Sequence, residues 1–216
     1  MKSKKVKFQD QHLLLLPCKA VIWEEQNILI LADVHLGKAA HFRKEGINLL
    51  SDAALKDIGL LKELLDSICP DKLLILGDLF HSKENSEWKL FEKLVNSCNT
   101  EIILVSGNHD ILPDEKYQKA GVSVMDKLSI APFVFTHEPV EIKGSYMNIA
   151  GHIHPGTHIK TGPGHSLKLP CFFITEKNLI LPAFGSLTGL CMMKKQKGDR
   201  LFIITGTEVL EINQKE

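Results

Sequence analysis

The chain has no surplus of charge. Lys plus Arg and Asp plus Glu each number 26 in its 216 residues. A protein that holds long nucleic acid chiefly by bulk charge carries a basic excess, so neutrality excludes that mode while leaving room for a local basic surface. Cysteine pairs are missing too: Cys18, Cys69, Cys98, Cys171 and Cys191 are odd in number and form no C-x-x-C unit. Their scatter excludes a disulfide framework or a zinc knuckle and suits a reducing compartment. No apolar run approaches the roughly 20 residues of a membrane span. The apolar residues 13–16 follow Lys2, Lys4 and Lys5, but residues 9–12 separate them and are polar. The run is shorter than the roughly 7–15 residues of a signal-peptide core. Neither a leader nor a membrane partner is expected, and the cytoplasm is the expected location.

What is present is core material. A 44% hydrophobic content over this length can fill one core, and the expectation is a single domain over residues 1–216. Short apolar runs recur, and several end in a residue capable of chemistry. Residues 28–32 lead into Asp33, 73–77 into Asp78, 102–107 into Asn108, His109 and Asp110, 133–136 into His137, and 147–151 into His152 and His154. Continuous apolar runs suit strands buried on both faces. Between the first three, helical spacing intervenes. Ser51 reads as a helix cap ahead of Leu55, Ile58, Leu61, Leu65 and Ile68, with Pro70 as the stop. A second helix is expected after Asn85 or Ser86, with Trp88, Phe91, Leu94 and Val95 inward. Alternating strand and helix implies a parallel sheet with right-handed crossovers. Past about residue 120 strand-like runs dominate (128–135, 166–175, 178–181, 201–205, 208–212), which predicts a second, more antiparallel sheet packed on the first.

A lone Asp-x-His or a lone histidine at a strand end is ordinary. Here Asp33-x-His35, Gly77-Asp78, Gly107-Asn108-His109-Asp110, His137 and Gly151-His152-x-His154 occur in order, each after an apolar run, at the strand ends where α/β folds place their sites. The residue types suit two divalent ions about 3.5–4 Å apart, which need an anion between them. Asp78 is the candidate bridge. Neutral imidazoles and a carboxamide complete the set without repelling an anionic phosphate, and this mixture of nitrogen and oxygen favours Mn, Fe or Zn over Ca or Mg. The expected nucleophile is a hydroxide bridging the ions. His109 is the expected general acid for the leaving alkoxide, with Asp110 orienting it and keeping it cationic.

The order D-x-H, G-D, G-N-H-D, H, G-H-x-H resembles the calcineurin-like metallophosphoesterase superfamily over residues 28–154. The resemblance implies an α/β fold, a four-layer αββα sandwich of two mixed sheets flanked by helices. It assigns Asp33, His35, Asp78 and His154 to one ion and Asp78, Asn108, His137 and His152 to the other, with Mn2+ first among the metals. Residues 33–47, 151–155 and 181–189 are further similar to bacterial phosphoesterases encoded beside an ATP-dependent DNA ligase, described as ligase-associated DNA damage response endonucleases. That similarity implies phosphodiester hydrolysis in DNA during repair, with DNA ligase and helicase as functional associates. A small nucleotide or a lipid pyrophosphate is the alternative substrate.

Outside that set, Lys38, His41 and Arg43 are candidates to hold substrate phosphate, Arg43 foremost because its planar fork fits two phosphate oxygens. His81 is expected in a supporting or surface role. His158 and His165 are expected in loops and Gly162-Pro163-Gly164 in a turn. Gly185-Ser186-Leu187 lacks the serine at the centre of G-x-S-x-G, which excludes a nucleophile elbow.

Overall fold

The computed structural model describes residues 2–38, 52–81, 85–162 and 164–212. Ser51, His41 and Arg43 lie outside the described residues. The first sheet contains β1 (Lys4–Phe8), β2 (Gln11–Leu15), β3 (Val21–Trp23), β4 (Ile28–Leu31), β5 (Lys72–Leu76), β6 (Glu101–Val105) and β7 (Val122–Met125), side by side in chain order. The first four pair antiparallel, and β4 to β7 pair parallel.

Among the described residues the parallel crossovers contain three helices: α1 (Asp52–Ile68), α2 (Ser86–Ser97) and α3 (Asp114–Lys119). A strand order advancing in one direction with right-handed crossovers puts every helix on the same face. Side-chain packing agrees: Leu61, Leu64 and Leu65 of α1, Trp88 and Phe91 of α2, and Tyr117 of α3 bury against Leu29, Leu31, Leu73, Ile75 and Leu104. Asn85 caps α2, its side-chain oxygen accepting from the N–H groups of Glu87 and Trp88. The inward stripe of α1 differs from the expected one by a single position. Ala54 is buried whereas Leu55 is 52% exposed, because the stripe runs through Ala54, Ile58, Leu61 and Leu65, and Leu55 falls about 100° off it.

The second sheet has nine strands: β8 (Leu128–Ile130), β9 (Phe133–Thr136), β10 (Met147–Ala150), β11 (Pro155–Gly162), β12 (His165–Ile174), β13 (Asn178–Ile180), β14 (Cys191–Met192), β15 (Arg200–Ile204) and β16 (Val209–Glu211). It is mixed: β9, β10 and β13 are parallel, with antiparallel partners around them. The expected run 128–135 is a hairpin, β8 folding back on β9. His158 and His165, expected in loops, stand in β11 and β12, because their backbones pair across that hairpin.

Between the sheets lies the larger core. Ile30, Leu74, Leu76 and Val105 of the first sheet meet Phe133, Phe135, Ile149, Phe172, Leu179 and Phe202 of the second. Trp23 packs edge-on to Phe133 with ring centroids 4.8 Å apart. The opposite face of the second sheet carries a smaller cluster, Cys171, Phe173, Ile180, Leu201 and Ile203, closed over by Ile153, Ile159, Leu169, Met193 and Ile212. The two mixed sheets form the expected α/β sandwich, with helices on the outer face of the first; among the described residues no helix covers the outer face of the second.

Candidate metal centre at the strand ends

Pairing between β4 and β5 continues past the strands into the segments that carry the motifs. Asp33 N donates to Gly77 O, His35 N to Asp78 O, Leu36 N to Leu79 O and His81 N to Leu36 O. Gly151 N likewise donates to His137 O. The chemistry-bearing residues therefore sit on a hydrogen-bonded extension of the sheets, which holds them more tightly than free loops would. That extension is not ordinary strand. Asp33, His35, Asp78, His152 and His154 have φ between 52° and 65°. This left-handed region is sparsely used by non-glycine residues, and strain of this kind concentrates at functional sites. Two neighbouring glycines make room. A Cβ at Gly107 would come within 2.3 Å of Asp78 Oδ1, and one at Gly151 within 2.6 Å of Asp33 Oδ2.

The structure brings the seven candidate ligands to one place in two overlapping groups. In the first, donor atoms of Asp33, His35 and His154 lie within 4.8 Å of one another. His35 Nε2 is 3.3 Å from His154 Nε2, which is 3.4 Å from Asp33 Oδ1. In the second, Asp33, Asp78 and His137 converge equally closely, and His137 Nε2 is 3.0 Å from both Asn108 Oδ1 and His152 Nδ1. Asp78 reaches both groups, with Oδ2 3.8 Å from His35 Nε2 and Oδ1 3.5 Å from His137 Nε2. Asp33, fully buried, is more central than the sequence suggested.

These donors suit cations on grounds of chemistry as well as proximity. His137 Nδ1 donates to the carbonyl of Leu76 at 3.0 Å, so in a neutral ring Nε2 presents a lone pair. It faces Asn108 Oδ1, another acceptor, and a shared cation relieves the opposition. The Leu76 contact is also the backbone anchor that commonly fixes the orientation of a metal-bound imidazole. Burial, with the nearby Lys38 charge and His154 adding to it, pushes His35 down to about 2. The ring stays neutral, as a ligand must be. Among the described residues its buried Nδ1 has no hydrogen-bond partner.

His109 is held by its backbone, whose N–H donates to Asp78 Oδ1 at 3.0 Å. Its half-buried ring packs on His81 with centroids 4.1 Å apart and lies 6.0 Å from that of His35. The expected link to Asp110 is corrected. The Asp110 carboxylate accepts from the backbone N–H groups of Asp78, Leu79, Phe80 and Gly107 and from the Tyr117 hydroxyl. Its oxygens are occupied in shaping the Asp78 and Asn108 turns and make no hydrogen bond to the His109 ring among the described residues. Burial pushes its carboxyl above the usual carboxylate range, with the Gly107 and Phe80 N–H groups opposing.

Lys38 is half-buried at the edge of the site. Burial lowers its ammonium below the usual range, while the charges of Asp78 and Asp33 act to raise it. Of the candidate substrate contacts it alone is described; His41 and Arg43 are not. Sequence reasoning missed three supports. Glu87 is buried and accepts from Gly37 N. Tyr117 meets Asp110. Buried Asp57 accepts from both N–H and hydroxyl of Ser186, while Phe184 N and Gly185 N donate to the carbonyls of Ala32 and Asp33. No pattern marks them in the sequence, because each acts on backbone distant in the chain. An open cleft of about 450 Å³ lined by Asn108, Asp126, Lys127, His137 and Glu138 adjoins the second group. The larger cavity, about 960 Å³ around Lys177, Asn178 and Asp199, opens at the other end of the second sheet.

Two sheets that deliver carboxylate, imidazole and carboxamide donors to one rim define a metal-dependent phosphoesterase sandwich. Residues 26–181 match the calcineurin-like phosphoesterase family, and the chain belongs to it. Its structure is similar to that of Pseudomonas putida nuclease MPE, with a TM-score of 0.82 and 28% identity over 97% of this chain and 100% of that one. Yfce, a phosphoesterase from E. coli, superposes with a TM-score of 0.47 at 12% identity, covering 86% of this chain and 97% of that one. No curated protein matches the chain. Among the described residues no helix is long and apolar enough to cross a membrane.

Proposed function

We propose that the chain hydrolyses phosphodiester bonds in nucleic acid, with DNA the substrate and repair beside a DNA ligase and helicase the setting. The observation that carries the substrate class is the likeness to the P. putida nuclease over essentially the whole of both chains. The similarity of residues 33–47, 151–155 and 181–189 to ligase-associated phosphoesterases supports DNA in particular. We assign Asp33, His35, Asp78 and His154 to one divalent ion and Asp78, Asn108, His137 and His152 to the other, Asp78 being shared, with Mn2+ as the metal. Bound there, such ions supply Lewis-acid polarisation of phosphoryl oxygens and an activated water at neutral pH.

The residues do the rest. The Leu76 carbonyl fixes the His137 tautomer, and the backbone N–H of His152 on the Asp33 carboxylate holds that carboxylate in the site. His109 donates a proton to the leaving oxygen, from a ring positioned by its backbone bond to Asp78 and by its contact with His81. Lys38 offers a cation to the phosphate.

The test is a panel of single-stranded, nicked and hairpin DNA with Mn-supplemented protein, beside small nucleotides and lipid pyrophosphates. Cleavage of DNA that falls at least about 100-fold in Asp78→Ala, as losing a group that stabilises transition-state charge costs, is the expected result. Fast turnover of a small nucleotide or lipid with DNA untouched overturns the substrate; DNA cleavage undiminished in Asp78→Ala overturns the site.

A further inference from the structure

The hairpin of β11 and β12 starts immediately after His154 and rises past the candidate site. Ile180 pairs with both Ala150 and Phe173. β13 and β10 run toward the site and β12 runs the opposite way, so residues 165–170 extend beyond the rim that Ala150 marks. There they pair only with β11, in the register His158↔Lys168, Ile159↔Leu167 and Lys160↔Ser166. Both strands are largely exposed along this stretch, forming a two-stranded arm.

Its faces are chemically distinct. Cross-strand partners share a face and alternate residues change face. Ile159, Leu167 and Leu169 therefore lie on the side of Cys171 and Phe173, and Ile159 and Leu169 seat the arm on that outer apolar cluster. His158, Lys160, Ser166 and Lys168 lie on the other side, the side of Phe172 and Ile174, which face the core between the sheets. The candidate site occupies the rim of that same interior. Residues 155–170 contain no Asp or Glu. Among the described residues Lys160 and Lys168 form no ion pair, so no acidic side chain there offsets their charge. The side of this hairpin that faces the interior between the sheets thus carries two lysines and a histidine and no acidic residue.

We propose that this arm is a polyanion-binding wall, with Lys160, Lys168 and His158 gripping the phosphate backbone of a nucleic acid strand to one side of the bond that is cut. The inference rests on the phosphodiesterase reading of the site and deepens it. At about 3.3 Å per strand residue, Lys160 lies about 20 Å along the chain path from His154. With phosphates spaced about 3.4 Å along a strand of duplex, that reach covers about six nucleotides. Short substrates cannot span it.

The test compares wild type with the double variant Lys160→Glu/Lys168→Glu on bis(p-nitrophenyl) phosphate, a dinucleotide and a 30-nucleotide strand, all with Mn2+. The control variant Lys7→Glu/Lys62→Glu makes the same change in net charge on strands and helices remote from the rim. The ratio of kcat/KM on the 30-mer to that on the small diester should fall about tenfold or more in the arm variant and stay level in the control. The salt dependence of 30-mer binding by fluorescence anisotropy should flatten by about 1.4 in log–log slope if two single-strand phosphate contacts are lost. Wild type itself should prefer the 30-mer to the dinucleotide. An unchanged ratio and slope with the 30-mer still cleaved overturns the arm alone, as does an equal fall in the control variant. Failure of wild type to bind or cleave any polynucleotide overturns the nuclease reading instead.

Discussion

The two donor groups share Asp33 and Asp78 and differ in depth. Asp33 is wholly buried and His35 6% exposed. In the other group Asn108 is exposed and the His152 side chain is 35% exposed, beside the open cleft. Burial at the first group pushes His35 down to about 2, and among the described residues its Nδ1 has no hydrogen-bond partner, so an ion held there should be retained the longer. The second group keeps Asp78 and His137 buried but opens to solvent at Asn108 and His152, and an ion there should exchange more readily. Depth divides one constellation into an anchor and a working end.

The largest expected effect is on proton handling, which we place at the His109 ring on the His35 side of the site. His109→Ala should cost about 100- to 10,000-fold on a diester with an alkoxide leaving group and far less on a nitrophenyl ester, whose leaving group hardly needs a proton. Equal losses on the two would remove His109 from that role. Next comes metal retention. After dialysis and elemental analysis, His35→Ala should have lost metal affinity by about 100-fold and His152→Ala by about tenfold, spanning the range known for groups that support a metal site. Equal retention would erase the distinction between anchor and working end. Smallest is the brace behind the anchor. Ser186→Ala removes one of two bonds to buried Asp57 and should cost about 1–2 kcal/mol in denaturant unfolding. The same variant should leave DNA binding unaltered; a binding defect without lost stability would mean that Ser186 touches substrate.

Much of this was legible in the sequence because parallel strands buried on both faces read as unbroken apolar runs. Their ends, where Asp33, Asp78, Asn108, His137 and His152 stand, can then be located without a structure. The three strands before residue 24 were not legible. They are short and half-buried, as the pattern of β1 shows, and Lys4, Lys5 and Lys7 interrupt any apolar signal. The roles of Asp110, Asp57 and Glu87 were hidden for another reason. Each carboxylate serves backbone N–H groups, and backbone leaves no residue type to read. Of the β11–β12 arm the run 166–175 was legible, while β11 was not, because Gly156, His158 and Lys160 break its apolar pattern.

Five candidate ligands hold left-handed backbone, a conformation that costs a non-glycine residue roughly 1–2 kcal/mol and that Asp, Asn and His tolerate better than most. This sets durability against use. At Asp33, His35, Asp78, His152 and His154, glycine would suit the main chain better than the residue present. A population of variants selected for heat resistance alone would drift toward losing these side chains first. The strained backbone at these five positions is a cost that only the chemistry of their side chains would offset.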